Sequence, residues 1–122
     1  MKIKIITVGK IREGYLRQGI IEYAKRLGGY AKVELVEVGY EKIPRGATGA
    51  YGEKVKITEG QRLLRHIGPN AYIIALDSRG VQMTSPRLAE TLKNLMLEGK
   101  SEINFLIGGP LGLSDTIRDR AH

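Results

Sequence analysis

The chain has 122 residues, of which 42% are hydrophobic and 27% charged, and its formal net charge is +7. That is the length of one domain, with an ordinary globular composition. The absence of Cys excludes disulfides, thiolate metal sites and a cysteine nucleophile. The two histidines, His66 and His122, have no acidic cluster near them in sequence, which argues against a bound metal or a Ser-His-Asp triad.

The positive charge is unevenly placed. Residues 1–65 hold 14 Lys/Arg against 7 Asp/Glu, whereas residues 66–122 hold 6 of each. Such asymmetry favours a polyanionic partner met by one face, most commonly nucleic acid, over a merely solubilising surface. The first ten residues, MKIKIITVGK, interleave charges with apolar residues and lack a signal peptide's cleavage site. No apolar run approaches the roughly 20 residues that span a bilayer, so a soluble cytoplasmic protein is expected.

In chain order, residues 2–8 alternate and then turn fully apolar before Gly9, as a strand does whose carboxyl end is interior. Residues 12–27 place Leu16, Ile20, Tyr23, Ala24 and Leu27 on one helical stripe, and Gly28-Gly29 ends it as a left-handed cap would. Residues 33–38 read as a second strand. Residues 39–52, with Pro44 and three internal or flanking glycines at 46, 49 and 52, read as the longest loop, carrying Lys42 and Arg45.

Residues 53–66 form a third helical pattern through Val55, Ile57, Leu63 and Leu64, with Ile67 beyond it, interrupted by Gly60 at about 1 kcal/mol relative to Ala. His66 near its end is expected to meet the last carbonyls. Residues 71–76 are continuously apolar, the pattern of a strand covered on both faces. Ser85 as N-cap and Pro86 at the first helical position start another helix, with Leu88, Leu92, Leu95 and Met96 as its stripe and Gly99 as its stop. A strand over residues 103–107 then runs into a loop with glycines at 108, 109 and 112, and Ser114-Asp115 opens a short closing helix. The alternation predicts a mostly parallel α/β sheet with helices on both faces and right-handed crossovers.

In such a sheet ligands bind beyond the carboxyl ends of the strands. Two of those ends are Leu76-Asp77-Ser78-Arg79-Gly80 and Ile107-Gly108-Gly109. The glycine loop is either a tight connection or a ligand site, and its spacing matches neither the dinucleotide nor the P-loop fingerprint. Backbone groups at the glycines, with Leu76, Leu106, Ile107 and Leu111 as apolar walls, suit a nucleoside or sulfonium ligand better than a phosphate, because Asp115 would repel an anion. Asp77 is the one well-placed carboxylate, and a turn-forming role suits it better than a catalytic one. No catalytic residue is identified.

MKIKIITVGKIREGY at the start, EYAKRL at 22–27, EGQRLL at 59–64, LDSRG at 76–80 and FLIGGPLGLS at 105–114 together resemble the ribosomal RNA large subunit methyltransferase H family of the SPOUT superfamily. The resemblance implies an S-adenosylmethionine-dependent enzyme that methylates N3 of a pseudouridine in large-subunit rRNA of the assembled ribosome, acting as a homodimer. By position, Leu76 and Gly108 match the family's cofactor-binding residues, and Gly109 follows as the neighbour of Gly108. Family members continue beyond the position of His122 with a knot-forming strand and helix. Residues 1–122 are therefore expected to form a single SPOUT-like (α/β-knot) domain that is C-terminally incomplete, without that segment and with its activity impaired. The alternative is a non-catalytic RNA- or ribosome-binding α/β module. With the knot-forming segment missing, strand 103–107 is expected to be partly uncovered and to drive self-association.

Overall fold

A computed structural model of the chain describes residues 1–10, 12–42 and 49–122. Arg45, assigned above to a basic loop, lies outside the described residues. Eight elements alternate: β1 (Lys2–Val8), α1 (Gly14–Leu27), β2 (Lys32–Val38), α2 (Gly49–Leu64), β3 (Tyr72–Leu76), α3 (Ser85–Leu97), β4 (Glu102–Ile107) and α4 (Asp115–Arg120). The strands make one four-stranded sheet in the order β2-β1-β4-β3. Every pairing is parallel, with Ile6 opposite Val36 on one side and Leu106 on the other. No described helix is long and apolar enough to cross a membrane.

The order places β1 between β2 and β4 and leaves β2 and β3 at the edges. Ile103 and Leu106 are fully buried. The expectation that strand 103–107 would present an open edge is wrong, because β4 is a central strand paired on both sides and the edges are β2 and β3; its surface is partly uncovered only at half-buried Phe105 and Ile107. His122 partly occupies the β3 edge. Its backbone N–H donates to Ile73 O at 2.9 Å, its Nδ1 accepts from Ile73 N–H at 3.1 Å, and its ring stacks on Tyr72 at 4.3 Å.

Side chains alternate across a strand, so the sheet has two chemically distinct faces. Ile6, Val8, Val38, Ile73 and Leu106 point to one face and form the core with Leu63 of α2 and Leu113 and Ile117 around α4. Gly60 belongs to this layer. A Cβ there would stand 3.0 Å from Ile117 Cγ1 and 3.2 Å from Ser114 Oγ, so the glycine that interrupts the helical pattern is what lets α2 and α4 approach. The opposite face carries α1, tied by Arg17 to Glu37 of β2, and α3, which covers Tyr72 and Ile74. Helices thus lie on both faces, but α1 buries none of its residues. Leu16, Tyr23 and Leu27, expected inward, are 46%, 67% and 45% exposed.

Helix boundaries moved where local chemistry was misjudged. Thr84, not Ser85, caps α3, its hydroxyl accepting from Arg87 N–H at 3.2 Å. Gly28 is right-handed at φ −58°, so α1 does not end in a left-handed cap, whereas Gly99 ends α3 at φ +87°. α2 begins at Gly49, four residues before the expected start, because its first turn contains two glycines that conceal the helical pattern. The His66 side chain makes no hydrogen bond among the described residues; its backbone carbonyl instead accepts from Lys4 Nζ at 2.7 Å.

Candidate functional site

The carboxyl ends of β3 and β4 lie side by side because Leu76 is in register with Ile107. The chain then turns away on each strand, through Asp77–Gly80 and through the glycine loop, and a groove of about 480 Å³ opens between the two turns. Leu76, Asp77, Gly108, Gly109 and Leu111 line it, and Lys56 of α2 closes one side.

Local packing dictates the shape of the glycine loop. Gly112 N–H donates to Gly109 O at 2.9 Å, with Pro110 in the second position of the turn, and Gly112 takes φ +87°. A Cβ on Gly108 would stand 2.7 Å from Gly112 C and 2.8 Å from its oxygen, so only glycine lets the two ends of the turn touch. A Cβ on Gly109 would meet both oxygens of Glu59 and Val8 Cγ1 within 3.3 Å. The sequence left a tight connection and a ligand wall as alternatives; the loop is a tight turn that also walls a groove.

Glu59 lies beneath Gly109 of the loop. It is 3% exposed, its Oε2 accepts from Glu41 N–H at 2.9 Å, and its Oε1 has no hydrogen-bond partner among the described residues. Gly52, Lys56, Glu59 and Leu63 recur at helical spacing on the α2 face beneath the loop, and a Cβ on Gly52 would be 3.6 Å from Leu111 Cδ1. Neither Lys56 nor Glu59 was singled out from sequence. The four-three-four spacing was a usable signal, but it becomes visible only once the helix is known to start at Gly49.

Asp77 is an anchor. Its Oδ1 accepts from Arg79 N–H at 3.0 Å, and Arg118 Nε lies 2.9 Å from Oδ2. The hydrogen bond from Arg79 holds its carboxyl below the usual range; the charges of Arg118, Arg79 and Lys56 act in the same direction against partial burial. A carboxylate so stabilised is a poor proton acceptor near neutrality. Leu106, proposed above as an apolar wall, is fully buried in the core on the α2–α4 face and cannot line the groove, because it sits at the alternate position to Ile107. Leu76, Gly108 and Gly109 do meet at one groove, with Leu76 52% exposed at its mouth.

A parallel α/β sheet with a glycine-built groove at its strand ends is the arrangement in which proteins of this class bind small ligands, at the carboxyl edge of the sheet. Comparison with known proteins narrows this class. A family model described as "Predicted SPOUT methyltransferase" matches residues 1–122. The chain is also 51% identical over 119 residues to the ribosomal RNA large subunit methyltransferase H of Halothermothrix orenii, covering 98% of this chain and 75% of that protein. Proteins of the same name from Desulfitobacterium hafniense strain Y51 and Bifidobacterium adolescentis are each 48% identical over 121 residues, covering 99% of this chain and 76% of theirs. The chain belongs to the SPOUT methyltransferase family.

Proposed function

We propose that this chain is an S-adenosylmethionine-dependent methyltransferase of large-subunit ribosomal RNA, acting on N3 of a pseudouridine in the cytoplasm, as a homodimer or other self-associated form. The observation that carries the reading is the glycine-built groove beside Leu76. The tight contact at Gly108 turns backbone, not side chain, toward the ligand, while Leu76 offers apolar surface at the mouth. Exposed apolar surface beside unobstructed backbone donors and acceptors suits the flat face and polar edge of an adenine. Names borne by relatives at about half identity support rRNA as the acceptor.

The groove fits the cofactor in size and in kind: Leu76, Gly108 and Gly109 would hold it, with Leu111 beside them. When bound, S-adenosylmethionine supplies a methyl group already activated by its sulfonium. The protein's own task is then orientation and exclusion of water, which a rigid backbone cradle serves. Asp77 contributes by holding the turn after β3 against α4, not by moving a proton.

The test is twofold. Titration with S-adenosylmethionine should show saturable binding that weakens at least tenfold in Leu76→Glu, and labelled methyl should pass to ribosomes lacking the modification, appearing as N3-methylpseudouridine after digestion. Ribosome association without cofactor binding or transfer would replace this reading with that of a binding module.

A further inference from the structure

A second groove of about 480 Å³ opens at the same edge of the sheet, beyond the carboxyl ends of β1 and β2. Gly9, Lys10, Arg12, Arg17, Gly39 and Tyr40 contribute to its lining, with Glu37 below. Arg17 is committed to Glu37, its guanidinium nitrogens lying 2.8 and 3.3 Å from the carboxylate. Lys10 and Arg12 are exposed, and neither has a carboxylate partner among the described residues. Tyr40 is 57% exposed and presents its ring at the rim. An adjoining depression adds Arg65 and His66, while Arg62 in the same place is spent on Gly39 O and Glu41.

This groove neighbours the first along the same edge of the sheet. Val8, the last residue of β1, abuts Gly109 of the glycine loop, and the next residue, Gly9, lines the second groove. Glu59 joins them from below, touching Gly109 on one side and accepting from Glu41, next to Tyr40, on the other. Since β1 and β4 are neighbours, the groove centres are two strand spacings apart, roughly 10 Å. That distance is within the span of a single strand a few nucleotides long.

We propose that the groove formed by Lys10, Arg12 and Tyr40 at the ends of β1 and β2 binds single-stranded RNA, with the two cations on phosphates and an unstacked base on Tyr40. The inference rests on the reading that the chain acts on RNA, and it assigns the surface that does so. Unpaired cations beside an exposed aromatic ring are the combination that tracks a nucleic-acid backbone and stacks its bases. An acidic protein surface would engage the cations but would have no use for the ring. Lys10 and Arg12 are part of the positive excess of the first half of the sequence, which β1 and the residues that follow it bring to this end of the sheet.

The test uses the whole chain and a fluorescein-labelled 12-nucleotide oligouridylate, with binding followed by anisotropy across a salt series. The Lys10→Ala/Arg12→Ala double variant should bind at least tenfold more weakly at low salt. Its log–log salt slope should fall by about 1.4, the contribution of two single-strand phosphate contacts. Tyr40→Ala should weaken binding roughly 5- to 100-fold with the slope unchanged. Lys93→Ala, on the exposed surface of α3, should match the parent, and all variants should keep the parent's affinity for S-adenosylmethionine. The proposal is overturned if the parent fails to bind the oligonucleotide, or if the groove variants bind it as the parent does. Equal competition by polyglutamate would likewise overturn it, in favour of an acidic protein partner. Failure of S-adenosylmethionine to bind while the RNA losses persist would count against the methyltransferase reading and leave this surface standing.

Discussion

Arg118 Nε lies 2.9 Å from Asp77 Oδ2, which ties the short helix after the glycine loop to the turn that ends β3. The two walls of the groove are thus fastened by one ion pair whose carboxylate is 10% exposed and whose guanidinium is one-third exposed. Asp77→Asn keeps an oxygen to accept from Arg79 N–H but replaces the charged oxygen facing Arg118 with an amide NH2. Because the folded pKa of Asp77 lies below its ordinary value, its contribution is present above that value and is lost as pH falls through the lowered one. The variant should be less stable than the parent by about 1 kcal/mol at pH 7. The gap should begin to narrow below about pH 4 and close as pH falls through the lowered pKa. Thermal melts across pH check this; a gap that widens in acid would contradict it.

Gly108→Ala should damage the groove directly. The added methyl would meet the backbone of Gly112, which cannot swing aside as a side chain can. A stability loss of about 1–3 kcal/mol is expected from overpacking. At temperatures where the variant remains folded, S-adenosylmethionine affinity should fall at least tenfold. Calorimetric titration beside a melt separates the two effects, and unchanged affinity would remove Gly108 from the cofactor site.

At Gly60 two effects of Ala oppose each other. Helix propensity favours Ala by about 1 kcal/mol. The methyl would press on Ile117, 1% exposed and held in the core, and on Ser114, whose hydroxyl caps α4 by accepting from Ile117 N–H. Yielding would shift Ile117 from its place in the core and Ser114 from its capping position, so Gly60→Ala should be destabilising by about 1 kcal/mol net. Chemical denaturation gives the sign, and a stabilised variant would show that α2 and α4 can separate without cost.

Helix α1 exposes Tyr15, Ile21 and Tyr23 around its circumference at 75%, 61% and 67%, and Leu97 of α3 on the same side of the sheet is 76% exposed. Apolar surface of this extent favours association. Sedimentation at tens of micromolar should show self-association that weakens in Ile21→Lys/Tyr23→Lys. A clean monomer in the parent would refute the prediction.

The order of elements, the parallel class of the sheet and the position of the glycine loop were all legible in the sequence, because each rests on local chemistry. The continuous apolar run 71–76 forms a strand as expected, but at the edge of the sheet with only Ile73 buried and not covered on both faces, whereas Ser114 caps the final helix as its residue type and place suggest. The pattern of α2 misled in two ways. Glycines at its first turn hid its start, and Gly60 looked like a flaw until Ile117 was found against it.

Strand order lay beyond any local signal. That β4 pairs with β1 and β3 takes an edge depends on contacts between residues about a hundred positions apart, such as Lys2 with Glu102. Periodicity along one element is blind to such pairings. Strand order alone brings Val8 to the glycine loop, sets the two grooves side by side and buries Leu106 where sequence placed it in a wall. The sequence by itself determined which residue types stand at strand ends, since backbone conformation and side-chain polarity act over a few residues. Which ends become neighbours was decided only by tertiary packing, where burying both faces of one sheet selects a single arrangement of strands.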